Sequence, residues 1–374
     1  MNTSALNIIT TMVIFMSVSK VNLAAEQSLI IPFTLQSESN PTLLLSNEKS
    51  VNRATLSPRY SISSNDETNT WSAILIARVA RSSDQAIIQD RDDPSINLAW
   101  THHYETGQFG VTGLSSEQST RVSEFTDSGL VSSDNTRKTH SSSVKWQNSL
   151  NDKTSLEIGA DVTNVSFEGA VTTGLVDFRN EAVNTRLNHS VSEKLNTFAS
   201  LSSSHFLPEN ISANEATTNA INIGLTWNAS EKFNINTSAG LNETKYKDNL
   251  LPLDKSWQAM FSMRYSALRL SSRLNFFRSQ LPSSLGSLNE TRGIAVGWTY
   301  SLSEKANFDF DMSWRQNLSL NKTETSRFTA KYTKQISLSW DFNLTTDYRR
   351  SEFGAGEASS ASIMTGITYK LPEF

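Results

Sequence analysis

The sequence predicts an all-β protein, a transmembrane antiparallel up-and-down β-barrel of about 16 strands, within a range of about 14–18. Three features carry that expectation. Apolar residues recur at alternate positions in segment after segment from Trp71 onward, every tryptophan falls on the apolar phase, and tight turns alternate with longer loops.

The alternation is plainest in the C-terminal half. Ile294, Val296, Trp298, Tyr300 and Leu302 interleave with Gly293, Ala295, Gly297, Thr299 and Ser301. Ala306, Phe308, Phe310, Met312 and Trp314 do the same with Asn307, Asp309, Asp311, Ser313 and Arg315, as do Leu338, Trp340, Phe342, Leu344 and Tyr348 with their polar neighbours. Segments 221–227 and 257–265 repeat the pattern. A period of two puts one set of side chains on each face of a strand, whereas helical spacing would scatter them.

The turns follow from short polar sequences: SLNDKTS at 149–155, SVSEKLN at 190–196, NASEKFN at 228–234 and SLSEKAN at 301–307, with YSALRLS (265–271) and TKQISLS (333–339) in equivalent places. Asp152, Glu193 and Glu231 lie about 40 residues apart, the period of a two-strand hairpin unit. Longer loops are expected at 123–139, 168–180, 207–218, 243–256, 279–291, 318–326 and 350–360. Counting back from the C-terminus gives about thirteen strands from His140 onward, with three more at 71–82, 95–104 and 107–122. Pairing of 56–64 and 86–90 would raise the total to about 18. Residues 26–70 are mostly polar and unpatterned and read as a periplasmic lead-in or first-strand region, leaving 71–374 as the barrel.

The tryptophans argue for lipid against a soluble sandwich. Trp71, Trp100, Trp146, Trp227, Trp257, Trp298, Trp314 and Trp340, joined by Tyr265, Tyr300 and Tyr348, sit mostly near strand ends, as in the aromatic girdles of membrane barrels. A sandwich core more often buries one or two such rings centrally. The opposite face carries Asp, Asn, Arg, Gly and Ser, the chemistry of a wet lumen. Composition agrees: 37% of the 374 residues are apolar and only 19% charged, with a mean hydropathy of −0.37. A net charge of −4 gives no reason to expect a nucleic-acid partner. The lack of cysteine excludes a disulfide scaffold, a thiol nucleophile and a lipid-anchored Cys.

Both termini carry export signals. Residues 1–25 read as a signal peptide: an apolar run from Ala5 to Val18, then Lys20 and a small-residue site at Ala24 and Ala25. At the other end, Gly366, Tyr369 and Leu371 in TGITYKL resemble the last-strand signal of barrel assembly, Gly-x-x-aromatic-x-apolar. Pro372 puts the terminal Phe374 out of phase with Tyr369. Expected partners are therefore outer-membrane lipid and the barrel-assembly machinery, in the outer membrane of a Gram-negative bacterium.

Several segments carry a more specific likeness: SEFTDSGLV (Ser123 to Val131), GLVDFRN (Gly174 to Asn180), the SEK turns, PSSLGSLNETR (Pro282 to Arg292) and the ending SSASIMTGITYKLPEF. With these, the stretch from about Asp93 onward resembles a poorly characterised group of β-barrel porins encoded beside exopolysaccharide-export and exosortase systems. The resemblance implies an outer-membrane role linked to surface polysaccharide, with polysaccharide or export-system proteins as partners. It assigns no catalytic residues.

Charges on the lumen phase are the functional candidates: Arg186, Arg264, Arg269, Arg273, Arg315, Lys331 and Arg349 among the bases, and Glu157, Asp161, Asp309, Asp311, Asp341 and Asp347 among the acids. If the basic stretch 264–273 and the acidic stretch 309–347 occupy different walls, they set a transverse field across a pore. The alternative is a self-paired ladder that keeps the lumen hydrated. An outer-membrane hydrolase would need a His with a Ser or acidic partner. Of the five histidines, His102 and His189 take the membrane-facing phase, and His140 and His205 fall near loop ends. His102 and His103 point to opposite faces and cannot chelate together. The expectation is a porin-like channel rather than an enzyme, with no catalytic residue, metal or cofactor. A non-conducting barrel that docks partners through loops of about 8–17 residues is the alternative.

Overall fold

The computed structural model describes residues 25–46, 48–127, 134–169, 174–248, 254–318, 322–354 and 356–371. The expected signal peptide and Phe374 lie outside the described residues, apart from Ala25. Nineteen strand segments form a single antiparallel sheet closed on itself. β1 (Glu26–Ser39) seals the barrel against β19 (Gly356–Leu371), with Ile31 opposite Tyr369 and Thr34 opposite Gly366.

β2 (Ser50–Leu56) and β3 (Arg59–Asn65) occupy one position in the wall. β1 pairs with β2 along one half and β3 along the other, and β4 (Asn69–Ser82) pairs with both from the far side. The break falls at Ser57 and Pro58, because proline has no N–H for the ladder and restricts the residue before it. Nineteen segments thus make eighteen staves. Of the two readings of 26–70, the first-strand region describes the structure and the lead-in does not: the wall starts at Glu26, and 26–65 supplies its first three segments. The adjacent Leu29, Ile30 and Ile31 and the seven-residue halves hide the period of two. Residues 86–90, expected as a possible strand, form a turn with Ile88 buried.

The remaining staves follow in chain order. They are β5 (Arg91–Tyr104), β6 (Gly107–Ser119), β7 (Thr136–Asn151), β8 (Thr154–Phe167), β9 (Phe178–Ser192), β10 (Leu195–Pro208) and β11 (Ala216–Ser230). Next come β12 (Phe233–Tyr246), β13 (Asp254–Ser266), β14 (Leu270–Pro282), β15 (Leu288–Ser303), β16 (Ala306–Asn317), β17 (Thr323–Gln335) and β18 (Trp340–Phe353). The tight turns all gather at one end. At the other end the loops are shorter than expected, because the strands run on past the apolar band: the loop expected at 243–256 shrinks to 247–253. The connection 120–135 keeps its length and holds a helix, α1 (Thr120–Asp127).

The apolar phase points outward with nothing over it: Leu201 is 58%, Ile223 68% and Leu241 65% exposed. Water would not tolerate a continuous apolar belt around a closed sheet, whereas hydrocarbon requires both the belt and the absence of edges. The register puts all eight tryptophans on this face, Trp71 opposite Trp100 and Trp340 opposite Tyr369 among them. Trp71, Trp100, Trp146, Trp227, Trp298 and Trp340 mark the tight-turn margin, and Trp257 and Trp314 the long-loop margin.

Candidate functional site

Most of the buried apolar residues gather inside the long-loop mouth, with a smaller cluster of Tyr60 and Ala77 on β3 and β4. Val165, Phe167, Phe178 and Phe206 turn inward from β8, β9 and β10 and pack with Leu175 and Leu288. A second cluster joins Leu43, Phe125 of α1 and Ala358. These two clusters are seats for segments that fold into the barrel, and α1 is the largest of them. Ser119 starts the helix, its Oγ accepting from the Arg121 N–H at 3.2 Å.

Around α1 the polar groups are densely paired. The Arg121 guanidinium donates to Glu38 Oε1 at 2.9 Å and reaches the Pro41 carbonyl at 3.4 Å. Arg349 also pairs with Glu38 and stands over the Phe125 ring. Arg137 Nη1 holds Glu124 at 3.3 Å and Asp127 at 3.1 Å. On the β2–β5 wall, Asp134 faces Arg53 at 3.7 Å and Arg91 at 3.9 Å, and Arg91 pairs with Asp93 at 2.7 Å. Burial pushes the Glu124 carboxyl above its ordinary range, and the neighbouring Asp127 charge adds to the shift. Asp127 is raised by burial too, and burial lowers Arg121.

Three of the segments that carried the family likeness meet here. Ser284, in PSSLGSLNETR, donates its hydroxyl to Glu124 of SEFTDSGLV. The Ser284 carbonyl accepts from the N–H of Val176, in GLVDFRN, at 2.7 Å. Gly286 makes the approach possible: its φ is +71° and an added Cβ would lie 3.1 Å from Val176. A cavity of about 480 Å³ remains beside α1, lined in part by Ser123, Asp127, Arg137, Phe178 and Arg315.

The register puts the expected lumen charges on the phase opposite the tryptophans, with one exception. Arg269 is exposed in the tight turn between β13 and β14, so its placement on the lumen wall is corrected. Its neighbours Leu268 and Leu270 extend the alternation by sequence, but residues 267–269 lie between the two strands and Leu270 only begins β14. Arg315, Arg349 and Asp347 reach the α1 assembly, Asp347 through Arg349 at 3.5 Å. Glu157 and Arg186 stand opposite each other in the tight-turn half, with Lys145 at 3.0 Å from Glu157 and Arg186 over the Phe198 ring. Asp161 lies farther along β8, and Asp341 pairs with Lys370 at 2.5 Å near the tight-turn end.

The transverse field is also corrected. Only β15 separates β14 from β16, so Arg273 and Asp311 sit on one wall and pair directly across Gly297. An added Cβ at Gly297 would come within 2.7 Å of the Arg273 Nε, which explains the glycine. Arg264 stands opposite Arg273, and Lys331 opposite Asp309, completing a mixed-charge vestibule of about 440 Å³. His102, His140, His189 and His205 take the tryptophan phase, and His103 the other.

No protein-family model matches the sequence, and no curated protein does. Solved structures do match in shape. OccAB4 of Acinetobacter baumannii is 11% identical with a TM-score of 0.51, covering 94% of this chain and 99% of its own. The outer membrane protein OpdK of Pseudomonas aeruginosa is 10% identical with a TM-score of 0.52 over 94% and 99%. A BenF-like porin of Pseudomonas fluorescens is 9% identical with a TM-score of 0.51 over 93% and 99%. The chain has the fold of the outer-membrane porins. Identity this low carries the architecture and nothing finer.

Proposed function

We propose that this chain is a porin-like channel of the Gram-negative outer membrane, not an enzyme, whose aqueous path is narrowed at the outer mouth by α1. The observation that carries this reading is the eighteen-stave closed wall, apolar outside and charged inside, with α1 seated within it. A barrel of this strand number is wide enough for water unless loops fill it. The mixed-charge vestibule below α1 hydrates the path and lets ions of either sign approach. Stable single-channel steps in a planar bilayer would support the channel. Electrical silence from a correctly folded barrel would favour the second reading, a docking barrel closed by its own loops, which the close packing of α1, the 283–287 turn and Leu43 favours.

The finer reading is a role in moving or anchoring surface polysaccharide. It rests on the family-like segments, three of which form the inner face of the mouth. Loss of surface polysaccharide on deletion of the gene, restored by the intact gene, is the test. Gly366, Tyr369 and Leu371 lie on the strand that closes the barrel, which suits recognition by the assembly machinery when that strand inserts. Tyr369→Ala should then lower the yield of folded barrel in the membrane.

A further inference from the structure

We propose that the outer wall of β9–β13 binds a phosphate-bearing lipid of the leaflet on the long-loop side. The register lays out two rows of outward side chains. Leu201, Ile221, Leu241 and Trp257 stand opposite one another in the first. Ser203, Asn219, Glu243 and Lys255 form the second, one step nearer the long-loop end. The small Ser203 and Asn219, beside the larger apolar side chains, leave a concave groove of about 860 Å³ in the lipid-facing surface.

The groove ends on cations at the margin of the apolar band. Lys255 Nζ lies 3.7 Å from Glu243, which also holds Lys245 at 3.4 Å. One carboxylate between two ammonium groups leaves positive charge at the lip, and both lysines are well exposed, at 70% and 65%. Arg278 lies 4.1 Å over the Trp257 ring and pairs with Glu290. Apolar wall, interfacial indole, then cations is the order in which a membrane lipid presents its acyl chain, glycerol or sugar level, and phosphate. A phosphate monoester accepts charge-assisted hydrogen bonds from Lys and Arg. A second copy of the chain would bring this lip against itself in a two-fold contact, cation against cation, so the charges favour lipid as the occupant.

The test titrates the full barrel in detergent with lipid A, with the same lipid stripped of its phosphates, and with inorganic phosphate, read by native mass spectrometry. Lipid A should be retained at concentrations about tenfold lower than the stripped lipid, and Lys255→Glu and Arg278→Gln should each weaken retention about fivefold. Ser203→Trp, which fills the groove and leaves the cations in place, should abolish it while the barrel keeps its strand circular dichroism. Equal retention of both lipids, retention by Ser203→Trp, or competition by inorganic phosphate alone overturns the proposal. So does a barrel dimer that persists without lipid and disappears in Ser203→Trp. Conductance of Lys255→Glu should match the parent protein, which keeps this outcome separate from that of the channel reading.

Discussion

Replacing Glu38 by Gln should release α1 from the barrel interior. Glu38 is 3% exposed and is the acceptor for both Arg121, on α1, and Arg349, on β18. Glutamine keeps the shape and removes the charge, leaving the Arg121 guanidinium buried beside a neutral amide and the Pro41 carbonyl at 3.4 Å. Breaking a buried pair from one side costs about 3–5 kcal/mol. That converts to a shift of about 150- to 4,000-fold in the ratio of docked to released segment. Arg121→Met has a different effect. It withdraws the buried charge itself and leaves Glu38 paired with Arg349, so its cost should stay within about 2 kcal/mol. The chain has no cysteine, so Ser123→Cys on the buried face of α1 gives a single reporter whose thiol-labelling rate follows release. Glu38→Gln should raise that rate about 100-fold or more, with lengthened high-conductance dwell times, while Arg121→Met raises it about 30-fold at most. An unchanged rate in Glu38→Gln, or a larger effect from Arg121→Met, would refute the argument that this pair holds the segment in place.

Other expectations follow from the same geometry. Because burial raises the Glu124 carboxyl, its contribution to docking is present at low pH and is lost as pH rises from the ordinary carboxylate range through the raised value. Acidification from pH 7 toward pH 4 should therefore slow Ser123→Cys labelling, read with a pH-independent reagent, and Glu124→Gln should give the slow rate at pH 7 and flatten the profile. Arg273→Glu should shift reversal potentials toward cation selectivity because it sets two acids together beside Gly297, whereas Arg269→Glu in the turn should leave them within error of the parent. Ile223→Arg, on the lipid face, should destabilise the barrel by about 2–4 kcal/mol in urea unfolding from vesicles, while Ser202→Arg, facing the lumen, should cost under about 1 kcal/mol.

Much of the wall was legible in the chain because sheet periodicity is local. The alternation from 293 to 302 and from 306 to 315 states which side chains share a face, and β15 and β16 keep that division over their full length. The thirteen staves from β7 to β19 fall where the turns at 149–155, 190–196, 228–234 and 301–307 place them. Legibility failed where the signal was interrupted: Pro58 split one stave into two short halves, and the first three segments looked unpatterned as a result. Helix α1 was missed although Ser119 offered a capping residue, because 120–122 read as the end of a strand and 123–127 as loop.

What the sequence determined by itself was the division of faces, since a residue's phase depends only on its neighbours two positions away. That division was enough to predict lipid outside and charge inside. The tertiary structure alone decided which charges meet. Arg273 finds Asp311 because one intervening stave brings them within reach, and Glu38 finds Arg121 because β1 closes the sheet while α1 lies inside it. Residues separated by 38 and 83 positions carry no mark of that meeting in their local pattern. Only closure of the barrel, a long-range event, brings them together.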